Sequence, residues 1–175
     1  MLRQPDRVLS MSAMKADWRQ LYEEDATALM RYLSRLTGDR EMASDLMQET
    51  FVQGMRANPE FGSDRSAHAW LYRTATNLGR NALRRRRLIA FVSFTGGEHA
   101  PSAGFDVEAD QVRRALRSLP FDHAATLLLH YYAGFQRDEL AKLQGVSEET
   151  VKSRLARGRK SFRAAYGRLE RGLAR

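Results

Sequence analysis

Thr150, Lys152, Ser153, Arg154, Arg157, Arg159 and Lys160 crowd into the run TVKSRLARGRK. Guanidinium and ammonium groups grip phosphate oxygens, and Arg, Ser and Thr also hydrogen-bond base edges. The chemistry open to this group is recognition of a polyanion rather than bond breaking. A second group, Asp45, Gln48 and Glu49, falls at i, i+3 and i+4, one face of a helix. It suits either a basic partner surface or plain solvation. A third is Arg80 with the run Arg84 to Arg87, in a window from Arg65 to Gly97 that holds no Asp or Glu. Trp70 and Tyr72 are interleaved there, and aromatic rings can stack on bases freed from a duplex. Trp70 can equally be ordinary core.

The residues that catalysis would need are missing. His68, His99, His123 and His130 have no His or Cys at metal-ligand spacing, and the chain has no Cys. There is no phosphate-cradling Gly-rich loop and no nucleophile elbow. Asp45 and Glu49 alone are too few acids for a metal-dependent nuclease. The expectation is no enzyme, no catalytic residue, no metal and no cofactor.

The elements that must position these groups read as helices. Gly134 to Arg163 gives two short helices around a tight turn. Gly145 suits the left-handed stop of the first. Ser147 suits the N-cap of the second, with Glu148 and Glu149 at its positive end. Val151, Leu155 and Phe162 form its inner face, and the basic and hydroxyl residues lie outside, as in a helix that enters the major groove. From Lys152 onward the only acid is Glu170, against nine Lys and Arg. An αα-hairpin with solvated charges is the bland alternative.

Earlier in the chain, helices are expected over 16–36, 40–56 and 67–87. Asn58-Pro59 ends the second, and 61–66 form a loop. Residues 88–104 lose helical order, with LIAFVSF as a brief extended run. Two further helices follow over 109–119 and 121–132, and the apolar surface of the latter is a docking candidate. The fold expected is all-α, with two small helical domains. A loose tail covers 1–15, the first domain 16–90, a flexible linker 91–108 and the second domain 109–175. The start is open between Met1, Met11 and Met14.

With 175 residues, each half buries only roughly 60–65% of its unfolded surface. A net charge of +8 points to a polyanionic partner. No run is long enough to span a membrane, and the N-terminus lacks the apolar stretch of a signal peptide. A cytoplasmic location is expected.

The words themselves add a resemblance. GFQRDELAKLQGVSEETVKSRLARGR resembles the C-terminal helix-turn-helix of the extracytoplasmic-function sigma factors of bacterial RNA polymerase, TVKSRL being its specific part. Leu21-Tyr22, LTGDREMASDLMQETF and WLYRTATNLGRNALRRRR, in order and spacing, resemble the family's second conserved region. Together the two cover about Trp18 to Arg87 and Gln111 to Arg168. The resemblance implies a region 2-like bundle and a region 4-like helix-turn-helix. It implies that Asp45, Gln48 and Glu49 meet core RNA polymerase. Phe61, Ser63 and Asn77 would read the melted −10 element, with Arg80, Arg84 and Arg85 on its backbone. Thr150, Lys152, Ser153, Arg154, Arg157 and Lys160 would read or grip the −35 duplex. It further implies an anti-sigma factor as partner, and a chain that ends too soon for an appended regulatory domain. The sequence departs from the family pattern at Gly54-Met55, Asn81, Ala124, His130 and Gln144. A stand-alone regulator that uses only the hairpin, and a helical adaptor that binds only protein, are the rival readings.

Overall fold

The structure, a computed structural model, describes residues 14–93 and 107–173. Among them lie seven α-helices: α1 (Trp18–Thr37), α2 (Arg40–Ala57), α3 (Asp64–Ser93), α4 (Val107–Arg117), α5 (Phe121–Tyr131), α6 (Arg137–Gln144) and α7 (Glu148–Leu173). A short antiparallel pair, β1 (Met14–Lys15) and β2 (Glu60–Phe61), accompanies them. The all-α reading holds.

Local chemistry sets the ends of the first helices. The Asp17 carboxylate accepts from the Arg19 and Gln20 N–H groups and starts α1. Gly38, at φ 71°, stops it. Asp39 then caps α2 through the Met42 N–H, and Asn58 ends that helix in the left-handed region. The first module is α1 to α3, packed around Leu29, Leu33, Leu36, Leu46, Phe51 and Leu71. Within its core, Tyr32 Oη lies 2.7 Å from Thr76 Oγ1 in a buried hydrogen bond. Burial pushes the Tyr32 and Tyr72 hydroxyls above the ordinary phenol range, so both act as neutral groups.

The second module is α4 to α7. Val151, Leu155 and part of Phe162 face inward, as the spacing required. Leu127, Leu128 and Leu129 are buried too, so the expected apolar docking surface on α5 does not exist. Those leucines form the floor on which α7 lies, and of this stretch only Tyr131 is largely exposed, at 61%. A Cβ added at Gly158 would meet Leu127 Cγ at 3.1 Å, which shows how closely α5 and α7 approach.

Two expectations fail in outline. Residues 88–93 are not extended but continue α3 to Ser93. The arginine run and the apolar residues after it share one helical register with the core-facing turns before them. The segment 1–15 is not loose throughout, because Met14 and Lys15 pair with Phe61 and Glu60. The rest of that tail, and 94–106 of the expected linker, lie outside the described residues.

The modules also touch. Phe135, fully buried, sits against Tyr72 and His68 of α3, with centroids 5.5 Å from each. Tyr132 Oη donates to the Ala28 carbonyl at 3.3 Å, and Arg35 lies over the Tyr132 ring. One apolar core therefore runs through both modules.

Candidate polymerase and nucleic-acid interfaces

The α2 face carries Asp45 and Gln48 exposed and Glu49 half-buried. Glu49 accepts from Gln53 Nε2 at 2.8 Å, which fixes its carboxylate along the helix. Val52 and Met55 fall on the same face as Asp45 and Gln48, and Met55 is 54% exposed. Exposed Tyr22 of α1 packs edge-on against Phe51 beside them. The surface is thus acidic with an apolar centre, a composition suited to a protein partner. Gly54 lets Trp18 of α1 pack close against α2, since a Cβ there would collide with the Trp18 ring.

The loop between α2 and α3 departs from the sequence reading. Phe61 is only 8% exposed, because β2 turns Glu60 outward and Phe61 inward. It meets Trp18 and Trp70 in an aromatic cluster, with centroids 6.3 and 6.4 Å away. Phe61 is not presented to a base, and neither is buried Tyr72. Ser63 Oγ accepts from the Ser66 N–H, and Ser66 Oγ accepts from the Ser63 N–H, which caps α3. The exposed residues of α3 include Arg73, Asn77, Arg80, Arg84 and Arg87, repeating every four and three positions along one face. Arg85 is exposed beside them. Arg86 turns the other way and bonds Asp39 at 3.0 Å. The four arginines are therefore not one unit.

The α6–α7 hairpin forms as read. Gly145 ends α6 at φ 65°, and the Thr150 N–H donates to Ser147 Oγ at 3.2 Å. Thr150 Oγ1 shares a bond with Ser147 Oγ, so its hydroxyl is engaged at the helix start. Lys152, Arg157 and Lys160 are exposed, and Ser153 is half-buried. Arg154 is held inside by Gln144 and Asp122. A cleft of about 790 Å³ opens beside this helix, lined by Arg80, Asp122, Thr150, Ser153, Arg154 and Arg157 among others. In it, His123 Nδ1 is buried without a hydrogen-bond partner among the described residues.

Sequence reasoning missed the residues that join the modules. Arg65 gives a two-pronged bond to Glu139, Nε to Oε1 at 2.7 Å and Nη2 to Oε2 at 2.6 Å. Its Nη2 also donates to the Gly134 carbonyl, and its guanidinium lies over the Phe135 ring. The Arg65 hydrogen bond lowers the Glu139 carboxyl from 4.5 to about 2, against the opposing effect of burial and with help from the Gln136 N–H. Arg80 bonds Asp122 at 2.6 Å. No periodicity links positions so far apart; of these residues only Arg80 stands out in the sequence, and there as a candidate DNA contact rather than as a bond to Asp122.

Two helical modules, one with an acidic-apolar face and a basic helix, the other a basic helix-turn-helix, define a two-site DNA-binding transcription protein. Family models bear this out: Sigma-70 region 2 matches residues 21–89 and Sigma-70 region 4 matches 109–162. The ECF RNA polymerase sigma factor SigL of Mycobacterium tuberculosis is 35% identical over 152 residues, 82% of this chain and 85% of that protein. The RNA polymerase sigma factor CarQ of Myxococcus xanthus is 29% identical over 163 residues, 90% and 94% of the two chains. Among solved structures, the sigma factor RpoE from Bartonella quintana, in complex with the anti-sigma factor NepR, has a TM-score of 0.70 at 25% identity. That likeness covers 85% of this chain and 96% of that one. The chain belongs to the extracytoplasmic-function sigma factors of bacterial RNA polymerase. It directs promoter-specific transcription.

Proposed function

We propose a division of labour between the two modules. The α2 face with Asp45, Gln48, Glu49 and Met55 docks on core RNA polymerase. The face of α3 with Asn77, Arg80, Arg84 and Arg85 holds the melted −10 strand, Arg80 exchanging its bond to Asp122 for the DNA backbone, and Ser63 orders the loop at its start. The outer face of α7, with Lys152, Ser153, Arg157 and Lys160, enters the −35 major groove, and Thr150 stands at its N-terminal end. Phe61 supports the loop from within and makes no contact with DNA. The factor selects promoters and catalyses nothing.

The observation that carries this reading is the α3 face. One helix presents Asn77 and four arginines in a line, with an amide that can both donate to and accept from a base edge. A regulator that used only the hairpin would have no work for that line. The likeness to RpoE held by NepR, and to CnrH in complex with the cytosolic domain of CnrY (TM-score 0.64), supports an anti-sigma factor as a partner here. None of the described helices is long and apolar enough to cross a membrane.

The test is transcription in vitro with core enzyme, start sites mapped, and permanganate footprinting of the bubble. Asn77→Ala should reduce opening and relax preference at the −10 element. Normal opening with unchanged preference would remove α3 from strand recognition.

A further inference from the structure

Arg154 is the basic residue on the DNA-facing stretch of α7 that is held within the module. Its side chain is only 20% exposed. Nη1 donates to Gln144 Oε1 at 2.7 Å, and Nη2 donates to Asp122 Oδ2 at 3.2 Å. Gln144 Nε2 donates in turn to Thr126 Oγ1 at 2.9 Å, and that fully buried hydroxyl donates to the Asp122 carbonyl at 2.6 Å. The four residues close a ring across α5, α6 and α7. The turn between α6 and α7 is short, with Gly145 in the left-handed region, and the ring adds side-chain bonds to its constraint on the interhelical angle. The ring braces that angle beside the turn, because Gln144 is the last residue of α6 and its amide ties α7 and α5 together there.

A base-reading arginine aims a planar fork of N–H groups outward at two acceptors. Both terminal nitrogens of Arg154 are already bonded within the module. Arg157, one turn on, is exposed and bears no such bonds among the described residues. We propose that Arg154 is a positioning residue: with Gln144, Asp122 and Thr126 it sets the angle at which α7 is presented to the −35 duplex, and Arg157 makes the outward contact. This rests on the groove assignment above. Gln144 thereby becomes a determinant of DNA affinity although it touches no DNA.

The experiment measures duplex binding by the full chain with core enzyme, on a panel of single-base −35 variants and across a salt series. Gln144→Leu removes the acceptor at nearly constant volume. It should weaken all sequences alike, by about tenfold, the scale of one lost hydrogen bond to a charged group. Gln144→Glu keeps an acceptor toward Arg154 and should restore most of the affinity. Arg154→Gln should also act uniformly and leave the log–log salt slope unchanged, whereas removal of a phosphate contact lowers it by about 0.9. Arg157→Ala should relax preference at one position. Thermal melts of each variant confirm that the binding measurements are made on folded protein.

A loss confined to one base pair in Arg154→Gln, with Gln144→Leu unaffected, would make Arg154 a direct reader and overturn the inference. A drop in salt slope for Arg154→Gln would overturn it too. If Lys152→Ala and Arg157→Ala leave duplex binding untouched, the groove assignment itself falls, and the inference falls with it.

Discussion

Removing the Arg65–Glu139 bond should loosen the contact between the two modules. The pair joins the start of α3 to α6 through two bonds of 2.6 and 2.7 Å. Taken at face value, lowering the Glu139 carboxyl from 4.5 to about 2 would correspond to roughly 3 kcal/mol. The Arg65 side chain is 46% exposed and Glu139 27%, so solvent screens much of this, and about 1 kcal/mol is the realistic figure. The Arg65 guanidinium over Phe135, 4.5 Å from the centroid, adds about 0.5–1 kcal/mol. Arg65→Ala should thus weaken the junction by about 1.5–2 kcal/mol, and Glu139→Gln by about 1 kcal/mol. Because Glu139 is the group with the lowered pKa, its contribution is full above pH 4.5 and fades as pH falls toward 2. The chain contains no Cys, so one cysteine placed at exposed Glu24 and another at exposed Ser161 can carry a donor and an acceptor dye. Transfer efficiency should fall in Arg65→Ala, and the acid-dependent part of the signal should shrink in Glu139→Gln. Reversing both charges, Arg65→Glu with Glu139→Arg, should recover part of the transfer efficiency that either single reversal removes. Equal efficiency in all variants from pH 7 to 3 would refute the claim that this pair holds the modules together.

Three other sites give outcomes of their own. Asp45→Lys with Glu49→Lys should weaken core-polymerase binding, by about 2–5 kcal/mol if the carboxylates are desolvated there, with the melting temperature little changed. Unchanged affinity in a titration with core enzyme would rule out the α2 face as the docking site. Arg84→Ala with Arg85→Ala should weaken promoter binding by the holoenzyme for all sequences, and flatten its salt dependence by roughly one log–log unit for each phosphate contact removed. Gly158→Ala should destabilise the second module by about 1–3 kcal/mol, because the new methyl would press on Leu127 at 3.1 Å and the His123 carbonyl at 3.4 Å. A chemical melt with an unchanged midpoint would show that α5 and α7 can part freely.

The sequence by itself determined what is local. Gly145, Ser147 and the Val151–Leu155 seam dictate the hairpin, because caps, left-handed stops and helical period act over a few residues. Asp17, Asp39 and Asn58 set the ends of α1 and α2 in the same way, and the motif words in both halves already pointed to the family. Tertiary structure decided which of the candidate groups face out. Phe61 and Tyr72 looked available to DNA, but β1–β2 pairing and the Trp18–Trp70 cluster turn Phe61 inward, and the α1–α3 packing buries Tyr72. Arg84 to Arg87 read as one charge run, yet Arg86 alone reaches Asp39, the N-cap of α2. Leu127 to Leu129 looked like a docking face and became the floor of α7. The bonds of Arg65 to Glu139, Arg80 to Asp122 and Arg154 to Gln144 depend on where whole helices come to rest. That placement follows from the shared apolar core, which no short-range pattern encodes.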